Sequence, residues 1–188
     1  MIIAMDLDEV VFNIRDVTLQ EINRLGHDSV IKHWSEWNTY SLIDMYGIPA
    51  KRLEEMYINK RILERGHAED NASEVINRLY KDHTIVFVTA RGWHPQAKAV
   101  TMASLDKYNI PYDGIEVVPL FGGKTEALRN IGDVDVFIDD NAGHVQDSID
   151  DKTSKRSVVR TMPWNAQVDL NCARVDNLLE FETLIKEM

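Results

Sequence analysis

The chain has 188 residues, of which 44% are hydrophobic, so it is long enough to form one ordinary domain, or a domain with a modest insertion, around a hydrophobic core. Its 21 lysine and arginine residues against 31 aspartate and glutamate residues give a net charge of −10. Such an acidic surface argues against binding to nucleic-acid polymers, which proteins bind through basic patches. The single cysteine, Cys172, excludes an internal disulfide and a cysteine-rich zinc cluster, and it suits the reducing cytoplasm.

The hydropathy of the sequence gives no sign of a membrane protein. No apolar stretch approaches the ~20 residues that a membrane-spanning helix requires. The N-terminus lacks the basic region and the cleavable apolar segment of a secretory signal, so we expect no membrane partner. The sequence leaves open whether the chain forms a homodimer.

The first predicted element is a buried strand over residues 1–5, an apolar run that ends at Asp6. Asp6 and Asp8 therefore leave the sheet together at the carboxyl end of the strand, where open α/β sheets bind their ligands. Two carboxylates a few ångström apart repel each other, and a cation such as Mg²⁺, which prefers oxygen ligands, removes the conflict. The alternative is a pair of solvated loop aspartates, because Asp is common at strand ends and turns.

Residues 13–70 show helical spacing of apolar residues and no strand-like run, which predicts a small helical cap inserted after the first strand. Residues 1–12 and 71–188 then form the core. Trp34, Trp37 and Tyr40 of the cap are candidates for stacking on a nucleobase, because an aromatic face binds a base with about 1–3 kcal/mol. The alternative is that these three rings fill the interior of the cap.

Strands and helices alternate after the cap, which predicts a doubly wound parallel α/β sheet of the Rossmann type. Helices are expected over residues 72–80, 95–108 and 124–130 and from Asp176 onward, and strands over 85–88, 115–118 and 157–160 and up to residue 139. His94 is interpreted as beginning the second of these helices rather than as a catalytic residue.

The strand over residues 85–88 leads to Thr89, Ala90 and Arg91. The Thr89 hydroxyl can donate a hydrogen bond to a phosphate oxygen, although a threonine at such a position often only packs. Arg91 can bind a phosphate or, equally well, pair with a surface carboxylate.

Two further segments end in polar residues. Gly122 and Gly123 free the backbone before Lys124, which opens a helix and can neutralise phosphate charge, although a lysine after glycines is often only solvated. Asp139 and Asp140 follow another apolar run and would complete an acidic metal site, although Asp-Asp-Asn is also a common turn composition. The joint occurrence of these pieces at the ends of predicted strands is hard to attribute to chance.

The four motifs resemble those of the haloacid dehalogenase superfamily of phosphatases. The matching residues are the Asp-x-Asp pair, the hydroxyl residue, the lysine and the acidic pair, namely Asp6, Asp8, Thr89, Lys124, Asp139 and Asp140. The resemblance covers about residues 1–150 and implies a haloacid dehalogenase-like (HAD-like) fold. Glu9 departs from it, because many members have glycine directly after the second aspartate.

A finer resemblance is to the 5'(3')-deoxyribonucleotidases, including phage-encoded relatives. It rests on the segments Asp-Leu-Asp-Glu-Val-Val-Phe, Val-Thr-Ala-Arg and Phe-Ile-Asp-Asp-Asn, and on Met-Pro-Trp-Asn around Pro163, Trp164 and Asn165. It implies a Mg²⁺-dependent phosphomonoesterase that hydrolyses nucleoside monophosphates, with deoxyribonucleotides among the candidates.

The resemblance also implies the roles of the acidic residues. Asp6 is the expected nucleophile, which forms an aspartyl-phosphate, and Asp8 is the expected general acid and base. Mg²⁺ is expected on Asp6, on the backbone carbonyl of Asp8 and on one carboxylate of the acidic pair, with Asp140 favoured over Asp139.

The expected ligands of the phosphate group are Thr89, Ala90, Lys124 and Arg91.

Two other functions stay open. A phosphatase of the same fold that acts on another small ester, such as a sugar phosphate, would share this core and differ in the cap. A non-catalytic binding module of the same fold would usually have lost the nucleophile or the metal carboxylates, which this chain retains.

Overall fold

The computed structural model describes residues 1–25, 33–120 and 122–188. The strands in this part of the chain are β1 (Ile2–Met5), β2 (Phe12–Asn13), β3 (His67–Ala68), β4 (Thr84–Thr89), β5 (Gly114–Val117), β6 (Val136–Asp139), β7 (Arg156–Arg160) and β8 (Ala173–Val175). The helices are α1 (Arg15–Arg24), a 3₁₀ helix (Trp34–Glu36), α2 (Leu42–Tyr46), α3 (Ala50–Asn59), α4 (Ile62–Arg65), α5 (Ala72–Leu79), α6 (Ala97–Lys107), α7 (Lys124–Ile131), α8 (Ala142–Asp150) and α9 (Leu178–Lys186). Within the described residues, no helix combines the length and the apolar character that a membrane span requires.

Six of the strands form one parallel sheet in the order β5-β4-β1-β6-β7-β8. Ile3, Ala4 and Met5 of the central strand β1 are fully buried, as expected for a parallel sheet that is covered on both faces. Ile3 and Met5 belong to the same apolar cluster as α5 and α9, whereas Ala4 belongs to a second cluster with α7. Alternate residues of β1 thus face different helices, and the predicted doubly wound α/β fold is confirmed.

The predicted strands and helices of the core are present, with their ends shifted by a few residues, but the sequence analysis missed α8 and β8. Asn141 begins α8, because its side chain accepts hydrogen bonds from the amides of Gly143 and His144 at 2.8 and 3.4 Å. Asparagine favours both turns and helix starts, so the turn composition concealed this helix. The last helix is capped by Asn177 and not by Asp176.

Residues 13–70 are mostly helical, but the prediction that they contain no strand is wrong. β2 and β3 form a two-residue antiparallel ribbon, in which Phe12 pairs with Ala68 and Asn13 with His67. Strands this short leave no alternating pattern in the sequence. The ribbon lies at the two ends of the proposed cap, of which residues 26–32 are outside the described part of the chain.

The helical insertion has its own cluster of buried apolar side chains. Ile22, Ile48 and Ile62 belong to this cluster, and Val100 of α6 joins it from the other side. The insertion therefore packs on α6, next to the carboxyl end of β4. The division into a core of residues 1–12 and 71–188 and a cap of residues 13–70 stays a prediction.

Candidate active site

The carboxyl ends of three neighbouring strands bring the predicted site residues to one edge of the sheet. Asp6 directly follows β1, Thr89 ends β4 and Asp139 ends β6. β1 lies between β4 and β6, and the Asp6 amide continues the pairing by donating to the carbonyl of Ile138 at 2.9 Å. Residues that are more than 130 positions apart in the sequence are therefore neighbours, because parallel strands all end at the same edge.

Asp6, Asp139 and Asp140 form a buried acidic cluster at this edge. One carboxylate oxygen of each lies within 4.8 Å of the others, and the three residues are between 0% and 5% exposed. The Lys124 ammonium donates to Asp6 Oδ1 and to Asp139 Oδ2, both at 2.6 Å. Two of the three carboxylates thus share the Lys124 ammonium group, and the formal charge of the three aspartates with Lys124 is negative.

A glycine places Lys124 at this position. Gly123 has a φ of 94° directly before α7, and a Cβ atom there would lie 3.2 Å from both Pro119 and Val118, so the backbone conformation and the space both favour glycine. Lys124 is the first residue of α7 and reaches across the strand ends. Residue 121, the first of the predicted Phe-Gly-Gly-Lys segment, lies outside the described residues.

Burial and the neighbouring charges shift the pKa values of the three aspartates in different directions. Burial raises the pKa of Asp140 well above its usual range, and the charges of Asp139 and Asp6 raise it further. Burial also raises the pKa of Asp6 to about 7, although Lys124 opposes this shift. Asp139 differs, because Lys124 and His144 outweigh burial and lower its pKa.

A hard divalent cation fits this donor set. Asp6, Asp139 and Asp140 offer the carboxylate oxygens that such cations prefer, and a bound cation would offset the repulsion that raises the pKa of Asp140. Asp139 Oδ1 accepts from the amide of Asn141 at 2.8 Å and Asp139 Oδ2 accepts from Lys124, so both of its oxygens are engaged. The Asp140 carboxylate accepts a hydrogen bond only from Trp164 among the described residues, which supports Asp140 as the stronger ligand of the pair.

Thr89 ends β4, the strand next to β1, and has an unused hydroxyl group. Its side chain is fully buried, and its Oγ1 has no hydrogen-bond partner among the described residues. Buried hydroxyl groups are usually paired, so Thr89 Oγ1 is a candidate donor to a ligand. Ala90, the next residue, lines the adjoining cavity.

Asp8 and Arg91 form an ion pair next to the acidic cluster, in which Arg91 is buried and Asp8 is partly exposed. Arg91 Nε donates to Asp8 Oδ2 at 2.9 Å, Nη2 donates to Asp8 Oδ1 at 2.5 Å, and Nη1 donates to Thr101 of α6 at 2.9 Å. Of the two expected roles of Arg91, the structure therefore displays the pairing with a carboxylate. The Asp8 carboxylate lies outside the three-aspartate cluster, so its predicted metal contact rests on the backbone carbonyl.

Glu9 accommodates the turn in which many relatives have glycine. It has a left-handed φ of 64°, and its carboxylate accepts from the Ile14 amide at 3.1 Å and from the Arg15 guanidinium. Arg15 also pairs with Glu69, and Arg160 pairs with Glu69 at 3.0 Å and donates to the Glu9 carbonyl. These four charged side chains, Glu9, Arg15, Glu69 and Arg160, form a buried network that the sequence analysis did not find.

A cavity of about 500 Å³ opens from the acidic cluster toward the helical insertion. Its aromatic lining residues are Trp37, Tyr40, Tyr57, Trp93 and Trp164. Tyr40 is half exposed, whereas Trp37 is almost fully buried and donates from its indole nitrogen to the hydroxyl of Tyr46 at 3.0 Å. Trp34, which we predicted with them, lies instead against the Arg15 guanidinium, 4.4 Å from the ring centroid.

The segment around Trp164 also contacts the acidic cluster, a role that the sequence analysis did not foresee. Trp164 Nε1 donates to Asp140 Oδ2 at 3.0 Å, and Asn165 Nδ2 donates to the backbone carbonyl of Asp140 at 2.6 Å. The Met-Pro-Trp-Asn resemblance was the one available signal for these contacts. His94 is buried and accepts from the Gln96 amide at 3.1 Å, but Gln96 is the N-cap of α6, so this helix begins after His94. That His94 is not catalytic stays a prediction.

No protein-family model matches the chain, and no curated protein sequence matches it. Solved structures do. A protein from Lactobacillus plantarum that is provisionally named phosphoglycolate phosphatase superimposes with a TM-score of 0.68 at 13% identity, over 97% of this chain and 98% of that one. A provisionally named β-phosphoglucomutase from Thermotoga maritima gives 0.62 at 15% identity over 100% of both chains. A HAD hydrolase from Bacillus subtilis that is bound to magnesium gives 0.61 at 15% identity, over 98% and 97%.

These likenesses extend over nearly the whole chain, so they include the helical insertion as well as the sheet. The identities of 13–15% are low, and they show a shared fold rather than a shared activity. The chain has the fold of the haloacid dehalogenase-like hydrolases.

Proposed function

We propose that this protein is a metal-dependent phosphomonoesterase that acts on a small phosphate ester. The observation that carries the proposal is the buried, negatively charged cluster of Asp6, Asp139 and Asp140, with Lys124 beside it; Asp6, Asp140 and Lys124 also line a cavity. Such a cluster is costly to fold unless a cation compensates it, and perturbed carboxylates in a cleft mark candidate active sites. The magnesium in the structure of the Bacillus subtilis hydrolase supports Mg²⁺ as this cation.

Asp6 is the proposed nucleophile. Its carboxylate attacks phosphorus, the bond from phosphorus to the ester oxygen breaks, and an aspartyl-phosphate forms. The Asp8 carboxyl group gives its proton to the leaving oxygen; it then takes a proton from the water that attacks the aspartyl-phosphate and releases phosphate and Asp6. A divalent cation held by Asp6, Asp140 and the Asp8 carbonyl would supply charge neutralisation during both steps.

Arg91 acts through Asp8 in this proposal. The guanidinium holds both Asp8 oxygens and is itself anchored to Thr101, so it fixes the direction in which the Asp8 carboxyl group faces. This contact makes Arg91 a positioning residue. Thr89 Oγ1 and Lys124 remain to bind the phosphate oxygens, because one is an unpaired buried donor and the other a buried cation.

A nucleoside monophosphate is the proposed substrate. The cavity has phosphate-binding groups at one end and aromatic side chains along its wall, which suits a flat base attached to a phosphate. Another small ester, such as phosphoglycolate or a sugar phosphate, is the second candidate, and the names of the similar solved structures favour it. Those structures are too distant in sequence to decide the substrate.

Phosphate release tests the proposed reaction. The purified chain should hydrolyse p-nitrophenyl phosphate with Mg²⁺ present, and EDTA should stop the reaction. Asp6→Asn keeps the shape of the side chain but removes the nucleophile, so turnover should fall by about 10⁴-fold or more. Hydrolysis by Asp6→Asn at the wild-type rate would exclude Asp6 as the nucleophile, and no release by the wild type would favour a non-catalytic binding module.

A substrate panel with one cap variant separates the two substrate candidates. Tyr40 is half exposed in the cavity, so Tyr40→Ala can remove a stacking surface without opening the core. If a base stacks there, KM for nucleoside monophosphates should rise about 10-fold and KM for sugar phosphates should stay nearly constant. Tyr80→Ala, an exposed tyrosine directly after α5, is the matched control. Preferential hydrolysis of sugar phosphates by the wild type would reverse the choice of substrate.

A further inference from the structure

We infer that Trp164 is a positioning residue that orients the Asp140 carboxylate for metal binding and joins it to the aromatic wall of the cavity. This inference rests on the proposed function, because it assigns a role at the same metal site. Trp164 follows β7 in the Pro163-Trp164-Asn165 segment and belongs to neither the acidic cluster nor the helical insertion.

The indole N–H of Trp164 contacts one defined oxygen. Nε1 donates to Asp140 Oδ2 at 3.0 Å, where Asp140 is 2% exposed. An indole nitrogen can only donate, so this contact requires an oxygen with an available lone pair. With Oδ2 held, Oδ1 is the oxygen of Asp140 that is left to face a cation. Residues that hold a metal ligand in this way typically affect metal affinity 10–100-fold when they are changed.

Hydrogen bonds of Asn165 anchor the loop that carries the Trp164 indole. Asn165 is 1% exposed, and its side chain accepts from the Met162 amide at 3.0 Å and donates to the carbonyls of Arg160 and Asp140 at 2.8 and 2.6 Å. The same asparagine thus ties the end of β7 to the backbone of Asp140. Asn165, the neighbour of Trp164, and the backbone of Asp140 are thus bonded to each other, so the hydrogen bond from the indole to Oδ2 has a defined direction.

The other side of the indole meets the helical insertion. The ring centroid of Trp164 lies 6.1 Å from that of Trp37 and 6.5 Å from that of Tyr40, distances at which aromatic rings attract each other. Both partners line the cavity. Trp164 is therefore in contact with the proposed metal site through its N–H group and with the substrate-facing rings through its face or edge.

Trp164→Phe separates the two contacts, because phenylalanine keeps an aromatic ring and has no N–H group. Calorimetric titration of Mg²⁺ should give a dissociation constant about 10-fold weaker than in the wild type. The matched control is Trp34→Phe, since Trp34 packs on Arg15 and does not line the cavity, and its Mg²⁺ affinity should equal that of the wild type. At saturating Mg²⁺, Trp164→Phe should recover most of kcat, as expected for a residue that acts through the metal ligand.

The wild-type protein offers a second measurement that does not depend on the folding of the variant. Its four tryptophans give four indole N–H signals in a ¹⁵N-resolved NMR spectrum. Trp34→Phe, Trp37→Phe and Trp93→Phe identify three of them, and the remaining signal belongs to Trp164. Addition of Mg²⁺ should shift the Trp164 signal more than the other three, because its acceptor oxygen belongs to the metal-binding carboxylate.

The outcomes distinguish this inference from the proposed function. Mg²⁺ binding by the wild type, with weaker binding by Trp164→Phe and a shifted Trp164 signal, supports the positioning role. Equal affinities in the wild type and Trp164→Phe, or a Trp164 signal that Mg²⁺ does not move, would overturn it while leaving the metal site intact. A wild-type protein that binds no Mg²⁺ would overturn the proposed metal-dependent function itself.

Discussion

Two groups of buried charged residues lie side by side in this protein, and they differ in charge balance. The acidic cluster combines Asp6, Asp139 and Asp140 with Lys124, whereas the neighbouring network combines Glu9 and Glu69 with two arginines, Arg15 and Arg160. In the network, every carboxylate has a guanidinium partner and the formal charges cancel. In the cluster, negative charge exceeds positive charge.

This difference in charge balance indicates different roles: the balanced network stabilises the fold, and the unbalanced cluster is the proposed binding site. A buried charge is tolerated when it is paired, so the balanced network can hold the protein together without a ligand. Its members come from the turn after Asp8, from α1, from the segment after β3 and from the end of β7, and it therefore links the core to both ends of the insertion. The proposed cation would compensate the unbalanced cluster, of which Asp6 and Asp140 line the cavity.

Removing a charge from the balanced network should produce the largest loss of stability. Glu69→Gln leaves Arg15 and Arg160 with one remaining carboxylate between them, so we expect the free energy of unfolding to fall by about 3 kcal/mol. Urea unfolding at pH 7 measures the change. Glu74→Gln on the outer side of α5 is a suitable control and should change stability by less than about 0.5 kcal/mol. A Glu69→Gln protein as stable as the wild type would show that the network does not stabilise the fold.

Removing a charge from the acidic cluster should have the opposite sign. Asp140→Asn eliminates a carboxylate whose charged form is disfavoured by burial and by repulsion from Asp139 and Asp6, so without metal the free energy of unfolding should rise by about 1 kcal/mol or more, since ~1 kcal/mol is the repulsion of two unit charges about 4 Å apart in water and the repulsion is stronger inside a protein. Thermal unfolding in EDTA measures this effect. Mg²⁺ should then stabilise the wild type more than Asp140→Asn, because the variant lacks a ligand. If Asp140→Asn were clearly less stable than the wild type in EDTA, the result would contradict the proposed excess of negative charge in the cluster.

The smallest expected effect concerns a third charge group, the pair of Arg78 on α5 and Glu182 on α9. Arg78 donates to both Glu182 oxygens at 2.8 and 2.7 Å and, together with Lys186 at 2.8 Å, lowers the pKa of Glu182 from 4.5 to about 2. A lowered pKa stabilises the fold above pH 4.5, and this contribution disappears as the pH falls through about 2. Because Arg78 is nearly half exposed, the contribution should be about 1 kcal/mol or less.

Acid unfolding curves of the wild type and Glu182→Gln test this pair. Over the window from pH 4.5 to 2, the wild type should lose stability more steeply than the variant, and the two should converge at the acidic end. Parallel curves over this window would mean that the pair does not contribute.

The sequence predicted the sheet and the position of the acidic cluster because both depend on backbone direction. Apolar runs that end in polar residues marked β1, β4 and β6, and parallel strands bring those ends to one edge. Asp6, Thr89 and Asp139 could thus be expected together without knowledge of any side-chain contact.

Contacts that depend on side-chain direction in loops could not be predicted in the same way. The pairing of Asp8 with Arg91 joins residues 83 positions apart, and the contact of Asp140 with Trp164 depends on the turn after β7. Hydrophobic periodicity predicts neither of these two side-chain contacts. Glu9 illustrates the same limit, because its left-handed backbone conformation allows a carboxylate to reach Arg15 where glycine would be the usual residue.

Titration of Mg²⁺ into the wild type and into Asp140→Asn, followed by calorimetry, tests the proposed cation site most directly. We predict that the wild type binds one Mg²⁺ per chain and that Asp140→Asn shows no binding at the same concentrations. Absence of binding to the wild type, or equal binding to both proteins, would contradict the proposal that the three buried aspartates form a metal site.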